Sequence, residues 1–318
     1  MNQNAKIAQA LKILKRGETV AIPTETVYGL AADATNEEAI ARIFEIKGRP
    51  AFDPLIAHFY QAQDLKDYVE SLPPIFHQLY QVFCPGPLTF ILNKTSKVPD
   101  ILTAGHPTVA VRFPAHPLTR NLLKAFGKPL AAPSANLFGR VSPTTAQHVQ
   151  AQLGKNVALI LDGGACEVGL ESTIIDLTAN TPRILRLGGV SLENLEKILG
   201  HKLTVNAHSS SNPSAPGMLS VHYSPGIKIL HGRVLENLKL VDFRRSGSIS
   251  FCQKIGKIPE ERQRVLSPRC DLREAAANLF AALRSFNPKE VDVILAEEFP
   301  EEGLGRAIND RLRRAAQA

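Results

Sequence analysis

Cysteine is scarce in this chain. The four present (Cys84, Cys166, Cys252, Cys270) form neither a C-x-x-C pair nor a Cys/His cluster at zinc spacing. That excludes a zinc ribbon and a disulfide-built scaffold, and isolated thiols in a reducing cytosol are expected. No apolar run approaches the ~20 residues that cross a bilayer. Residues 1–15 mix polar and apolar side chains without an uninterrupted apolar core, so no signal peptide is expected. The expected protein is soluble and cytoplasmic, with no membrane partner. There is no G-x-x-x-x-G-K-[ST] loop, which excludes a P-loop ATPase. No G-x-S-x-G elbow and no H-E-x-x-H helix is present either, so neither a conventional nucleophile nor a metal centre announces itself.

What is present fits a globular protein of two domains. The length is 318 residues, long for a single domain, and either half has enough chain to bury a core. Hydrophobic residues at 44% and charged residues at 21% exclude a disordered chain. The net charge of +7 suits a polyanionic substrate or partner. The excess is spread over both halves, which favours phosphate-handling pockets over a basic tail. Arg311, Arg313 and Arg314 read as a solvated helix end favoured by the macrodipole.

Helical and strand patterns alternate through the first two hundred residues. Helices are expected at 5–15, 36–46, 117–126, 143–153 and 192–199, with Asn36, Ser142 and Ser191 as candidate caps. Strands are expected at 19–23, 55–59, 87–92, 109–113, 129–132, 157–161, 172–177 and 183–187. This predicts an α/β domain with a twisted mixed sheet over residues 1–204. Residues 205–225 are rich in Ser, Pro and Asn and read as a linker. Beyond it, strands at 227–230, 248–252, 265–267 and 291–297, a helix at 272–286 and a final helix from about 305 predict a smaller, Rossmann-like α/β domain over 226–318. Gly303 and Gly305 lack a third glycine and read as a turn into the last helix.

Polar residues cluster where loops meet strand ends, the usual place for ligands in α/β sheets. Lys47, Arg49, Arg112 and Arg186 have the charge to neutralise a triphosphate and a carboxylate. Ser134, Asn136 and Ser142 offer groups for phosphate oxygens. Arg112 and Arg186 sit among apolar strand neighbours and need partners if they face inward. His58 ends an apolar strand and reads equally as a half-buried histidine. Residue types and spacing stop at an α/β protein with an anion-binding pocket.

The ordered motifs go further. Pro-Thr-Glu-Thr-Val-Tyr-Gly-Leu at 23–30, Lys-Gly-Arg-Pro at 47–50 with His58, Pro-Gly-Pro-Leu-Thr at 85–89, Val-Arg-Phe-Pro at 111–114, Pro-Ser-Ala-Asn at 133–136 and Gly-Leu-Glu-Ser-Thr at 169–173 together resemble the YrdC-like family. Lys47 and Arg49 with Ser134 and Asn136 match its K-x-R and S-x-N signature. Pro-Gly-Met at 216–218, His-Tyr-Ser-Pro at 222–225, Gly-Leu-Gly at 303–305 and Asp-Arg-Leu at 310–312 resemble its longer, two-domain form.

The resemblance implies a nucleotidyltransferase that joins L-threonine, bicarbonate or CO2, and ATP into threonylcarbamoyl-AMP for tRNA modification. It implies Mg2+ arriving with ATP, a downstream tRNA threonylcarbamoyl transferase, and tRNA as a further partner. Thr24, Thr26, His58, Arg112, Ala132 and Ser172 match threonine-binding positions; Arg49, Asp53, Thr108, Ser134, Asn136, Ser142, Arg186 and Tyr223 match ATP-binding positions; Lys47 and Arg49 are the catalytic candidates. Lys47 and Asn136 are expected to face the phosphates, and His222 and Tyr223 to close over the site as part of a lid. Asp53 stands where the family commonly has Asn, which puts a carboxylate near a polyanion and makes Asp53 a candidate Mg2+ ligand. Val221 and the two residues before it lack basic residues found in some relatives. Two other readings remain: an RNA-binding or ribosome-assembly factor, and a carbamoyltransferase of the hydrogenase-maturation type. For the second, the expected zinc-finger and acylphosphatase segments are absent.

Overall fold

The computed structural model describes residues 3–206 and 221–318. Most of the expected linker, including the Pro-Gly-Met string, lies outside the described residues. The first sheet contains β1 (Val20–Ile22), β2 (Gly29–Asp33), β3 (Ile56–His58), β4 (Leu88–Asn93) and β5 (Thr108–Arg112). It continues with β6 (Leu130–Ala131), β7 (Leu159–Ile160), β8 (Thr173–Asp176), β9 (Arg183–Arg186) and β10 (Thr204–Val205). Their order is β10-β9-β8-β4-β5-β3-β6-β2-β1-β7. Parallel pairs such as β3/β5 and β4/β8 mix with antiparallel ones such as β4/β5 and β3/β6, giving the twisted mixed sheet expected. Around it lie α1 (Gln3–Lys15), α2 (Glu37–Lys47), α3 (Pro74–Phe83), α4 (Asp100–Thr103), α5 (Pro117–Phe126), α6 (Ala146–Leu153) and α7 (Leu192–Leu199).

Strand alternation positions the site. On β5, Val109 and Val111 enter the main core, leaving Thr108, Ala110 and Arg112 on the opposite face. Ile56 and His58 share that face on β3, while Ala57 enters the core. Helix α2 opens on Asn36, whose side chain accepts from Ala39 N, with Glu37 and Glu38 at its positive end. It stops at Gly48, which takes the left-handed conformation (φ 59°) that glycine adopts without strain. Its buried stripe is Ala39, Ile40, Ile43, Phe44 and Lys47, so helical spacing carries a lysine inward.

The second sheet is wholly parallel. Strands β11 (Lys228–Gly232), β12 (Ser246–Ser250), β13 (Gln263–Val265) and β14 (Val293–Glu297) run in the order β11-β14-β12-β13. With α8 (Val234–Asn237), α9 (Leu272–Arg284) and α10 (Gly305–Ala316) they form the Rossmann-like unit expected. The two units share a core: Val27, Val141, Leu170 and Tyr223 pack in one apolar cluster with Phe280, Ile308 and Leu312.

Several expectations need correction. Ser142 does not cap α6; Thr145 does, accepting from His148 N, and Ser142 is drawn away to a carboxylate. Ser191 caps α7 as expected. Cys252 and Cys270 are not isolated thiols but form a disulfide, because the end of β12 and the approach to α9 meet; Cys84 and Cys166 are free. Arg311 and Arg314 are not solvated, being 0% and 6% exposed, because α10 turns that face into the domain junction. The strands β2 and β10 and the helix α3 were not anticipated. No described helix is long and apolar enough to cross a membrane.

Candidate active site

A small cavity lies on the sheet face that carries Ile56, His58 and Arg112. Arg49, Ala132, Ser134, Glu171, Arg186 and Tyr223 also line it, with His222 beside Tyr223. Three arginines face one glutamate, so the lining favours an anion. The free space is only about 50 Å³. The second, wider cleft between the domains, about 710 Å³ around Ser191, Asp271 and Gly303, lacks this convergence of buried charge.

Each arginine is held. Arg49 donates to the carbonyls of Asp53 (3.0 Å) and Pro54 (2.8 Å), and its Nη2 lies 2.8 Å from Asp53 Oδ1. That last contact is an ion pair by distance but lacks hydrogen-bond alignment, since Oδ1 has no hydrogen-bond partner among the described residues. Burial lowers the Arg49 pKa and raises that of Asp53, while each partner's charge opposes the shift. Arg112 Nη2 donates to Glu25 Oε1 at 2.6 Å, and Glu25 Oε2 accepts from Ala115 N. Arg186 donates to Ser172 through both its carbonyl (3.1 Å) and its Oγ (3.0 Å), and burial lowers its pKa only to about 10, so it stays charged at neutral pH.

The neutral polar groups form a second set. Thr24 Oγ1 donates to Val27 O (2.6 Å), so in its 2.8 Å contact with Thr26 the proton comes from Thr26. Ser172 Oγ also meets Thr89 Oγ1 at 2.7 Å. His58 Nδ1 lies 3.2 Å from Ile56 O, which accepts only, so Nδ1 carries the proton and Nε2 remains an acceptor. Burial, then the Arg112 charge, push the His58 pKa down to about 3, and the imidazole is neutral. His222 is lowered to about 3 chiefly by burial, and its Nδ1 has no hydrogen-bond partner among the described residues. Tyr223 is buried with φ 68°, an uncommon backbone state for a non-glycine, and stacks on Phe280 at 5.4 Å.

The remaining candidates are placed as follows. Lys47 does not line the cavity: its Nζ donates to the carbonyls of Ser134 (2.5 Å) and Asn136 (2.6 Å). Its pKa falls well below the ordinary value through burial and the Arg49 charge. Asn136 is buried, and its Oδ1 has no partner among the described residues. Thr108 shares the Arg112 face but stands at the other end of β5, roughly 13 Å along the strand at ~3.3 Å per residue. Ser142 Oγ donates to Glu171 Oε1 at 2.6 Å.

Sequence reasoning gave no role to Glu25 or Glu171, the counter-ions of the site. Burial opposes ionisation of Glu171, but Arg311 and Arg186, with the Ser142 hydroxyl, hold its pKa down to about 2. Glu25 and Glu171 lie 87 and 140 residues from Arg112 and Arg311, so no local pattern pairs them.

Residues 12–188 match the Sua5/YciO/YrdC family model, described as telomere recombination. Residues 190–317 match the model for the C-terminal domain of threonylcarbamoyl-AMP synthase. The threonylcarbamoyl-AMP synthase of Pyrococcus abyssi is 41% identical over 325 residues, covering 98% of this chain and 94% of that protein. That of Bacillus subtilis is 40% identical over 321 residues, covering 98% and 93%. The crystal structure of P. abyssi Sua5 complexed with L-threonine superposes with a TM-score of 0.92 at 38% identity, over 100% of this chain and 95% of that one.

Proposed function

The chain belongs to the Sua5/YciO/YrdC family in its form with a C-terminal domain, and from that premise we propose that it converts L-threonine, bicarbonate or CO2, and ATP into threonylcarbamoyl-AMP and pyrophosphate. The observation that carries this at the site is the convergence of Arg49, Arg112 and Arg186 on one cavity that the neutral His58, Ser134 and Tyr223 also line, with Thr24, Thr26 and Ser172 outside that lining. The activity is that of a nucleotidyltransferase. The threonine amine adds to CO2 and loses a proton, giving a carbamate without any protein nucleophile. A carbamate oxygen then attacks the α-phosphorus, the bond to the β-phosphate oxygen breaks, and pyrophosphate leaves. The protein's task is to align two anions that repel each other and to stabilise the leaving group.

Arg112 receives the threonine carboxylate, with Glu25 fixing its orientation. Thr26 and the neutral His58 meet the threonine hydroxyl, which selects against amino acids lacking one. Ala132 and Ser172 complete that wall, with Thr24 behind Thr26. Arg49, Ser134, Arg186 and Tyr223 form the ATP side; Ser142 reaches it through Glu171, while Asn136 and Thr108 stand outside the lining and would meet ATP only beyond it. Lys47 acts by fixing the Ser134 and Asn136 carbonyls.

Asp53 and Glu171 do not fit as Mg2+ ligands, because an arginine already engages each carboxylate, and no cluster of three metal-binding side chains occurs among the described residues. Mg2+ would then arrive with ATP and supply charge neutralisation on its phosphates. A free space of about 50 Å³ falls far short of the ~300–1,000 Å³ of a typical ligand pocket. That small space supports a reading in which the segment carrying His222 and Tyr223 lifts as a lid when the substrates enter. The setting is the cytoplasm, where the product passes to a tRNA threonylcarbamoyl transferase.

The test is pyrophosphate release by purified protein. Release is expected only with ATP, threonine and bicarbonate together, and Lys47→Ala is expected to abolish it. Equal release without threonine rejects the reading.

A further inference from the structure

Arg311 lies on α10 in the second domain and is completely buried. Its Nε donates to Glu171 Oε2 at 2.9 Å and its Nη2 to Leu187 O, just beyond β9, at 2.8 Å. Its Nη1 meets the adjacent Asp310 at 2.7 Å. Its guanidinium stands 5.3 Å from the centroid of the Tyr223 ring, which Phe280 of α9 stacks against at 5.4 Å. Glu171 in turn accepts from Ser142. One side chain of the second domain thus reaches the carboxylate, the strand end and the aromatic ring that bound one side of the first domain's cavity.

The arrangement is asymmetric. Arg186 and Tyr223, which share the cavity lining with Glu171, are on the side assigned to ATP, whereas Arg112, His58 and Thr26 are held by Glu25, Ile56 and Thr24 of the first domain; Arg186 also donates to Ser172 of the threonine wall. A buried ion pair is seldom a better stabiliser than apolar packing, but a forked guanidinium fixes direction in a way that apolar packing does not. Without Arg311, Glu171 would keep only Arg186 and the Ser142 hydroxyl against its charge where a triphosphate must lie.

We propose that Arg311 is a positioning residue for adenylation: it orients Glu171, and through it Ser142, and backs Tyr223, so that ATP affinity depends on the docked second domain. This rests on the assignment of the cavity to threonylcarbamoyl-AMP synthesis. A lysine at 311 keeps the charge but loses the fork, because an ammonium cannot reach Glu171 Oε2 and Leu187 O in the same planar geometry.

Arg311→Lys is the direct test, and the pair Arg311→Met with Glu171→Gln is the companion that removes both members of the buried ion pair. Two quantities are measured on the full chain: the equilibrium dissociation constant for ATP by titration calorimetry, and KM for ATP and for threonine in pyrophosphate release. Both variants are expected to bind ATP at least tenfold more weakly, with KM for threonine within twofold of wild type and a cooperative thermal transition. A folded variant with ATP affinity within twofold of wild type overturns the proposal, as does an equal loss for threonine and ATP. If the lysine variant fails to fold, the double variant decides. If wild type binds ATP but releases no pyrophosphate with threonine and bicarbonate, the functional assignment fails, while the ATP titrations still decide whether Arg311 positions the nucleotide side.

Discussion

The buried imidazoles of His58 and His222 set a pH dependence that is separable from ordinary acid denaturation. Both are lowered from 6.5 to about 3, first by burial and then by neighbouring arginine charge for His58; for His222 the Glu171 charge opposes the shift, while Arg49, Lys47 and Arg311 add to it. Between those values the unfolded chain binds protons that the folded chain refuses. Stability is therefore present in full above about pH 6.5 and falls as the pH drops towards 3. Going from pH 7 to pH 5 costs about 2 kcal/mol per histidine, or about 4 kcal/mol for the pair, from the proton-linkage relation. Glu171 leaves this window clear, because its unfolded value is 4.5 and its folded value near 2, so its own loss begins only below about pH 4.5. His148, lowered to about 4 by burial and the Arg284 charge, and His231, also lowered chiefly by burial, act in the same direction. The difference between wild type and a His58→Asn, His222→Asn double variant isolates the pair. Equilibrium urea unfolding followed by far-UV circular dichroism suits a chain without tryptophan. Wild type should lose about 4 kcal/mol more than the double variant between pH 7 and pH 5. Equal losses would show that these imidazoles are not buried in neutral form, and would refute the reasoning.

Two further outcomes follow from the ion pairs and the disulfide. Asp53 places a carboxylate against Arg49 at 2.8 Å on the side assigned to ATP. Asp53→Asn should lower KM for ATP roughly threefold, since a like charge would cost about 0.7 kcal/mol if a phosphate came to about 6 Å from it, even at the dielectric of water; an unchanged or higher KM would contradict it. The Cys252–Cys270 bridge closes a sequence separation of 18 residues. Cys270→Ser should lower the stability of the second domain by about 3 kcal/mol, read as a shift in the urea midpoint that dithiothreitol reproduces in wild type; no shift in either sample would mean the bond contributes nothing.

Much of the sheet was legible because strand alternation and chain punctuation are local signals. The Asn36 cap and the Gly48 stop define α2 in both sequence and structure. The strand β2 escaped because Val27 to Leu30 follows the Pro-Thr-Glu-Thr string and reads as its continuation, while its partners β1 and β6 are set by the tertiary fold. Thr145 rather than Ser142 caps α6 because the helix starts at Ala146 instead of 143, which leaves Ser142 upstream of its first amides; the Ser142 hydroxyl donates to Glu171. The site arginines were nameable as anion binders, but their counter-ions were not, since pairing across 87 or 140 residues leaves no trace in spacing. Arg311 carries a readable signal: it falls in the apolar stripe Ala307, Ile308, Leu312 and Ala315 of α10, a place where a solvated arginine does not belong. Residues 313 and 301, by contrast, form the exposed ion pair expected of a helix surface.

The same stripe explains why the second domain is more than an appendage. Val27, Val141 and Leu170, which flank the Thr26, Ser142 and Glu171 positions, complete their burial against α9 and α10. Arg284 at the end of α9 donates to the carbonyls of Val141 and Ser142, so both ends of the Ser142 side of the cavity are held from that domain. Lys47 does the corresponding work from within the first domain, tying the Ser134 and Asn136 carbonyls. The cavity therefore has two kinds of cation. Arg49, Arg112 and Arg186 face the space itself, whereas Lys47 and Arg311 sit behind it and set the geometry of what faces it. Removing the second domain would take away Arg311 and the apolar cover together. That would leave Glu171 with less positive charge against it, pull its pKa upward from about 2, and expose the Val27 and Leu170 backing of the loops that carry Thr26 and Ser172. An isolated first domain of this sequence would keep the residues of the site but not the arrangement that makes a polyanion welcome there.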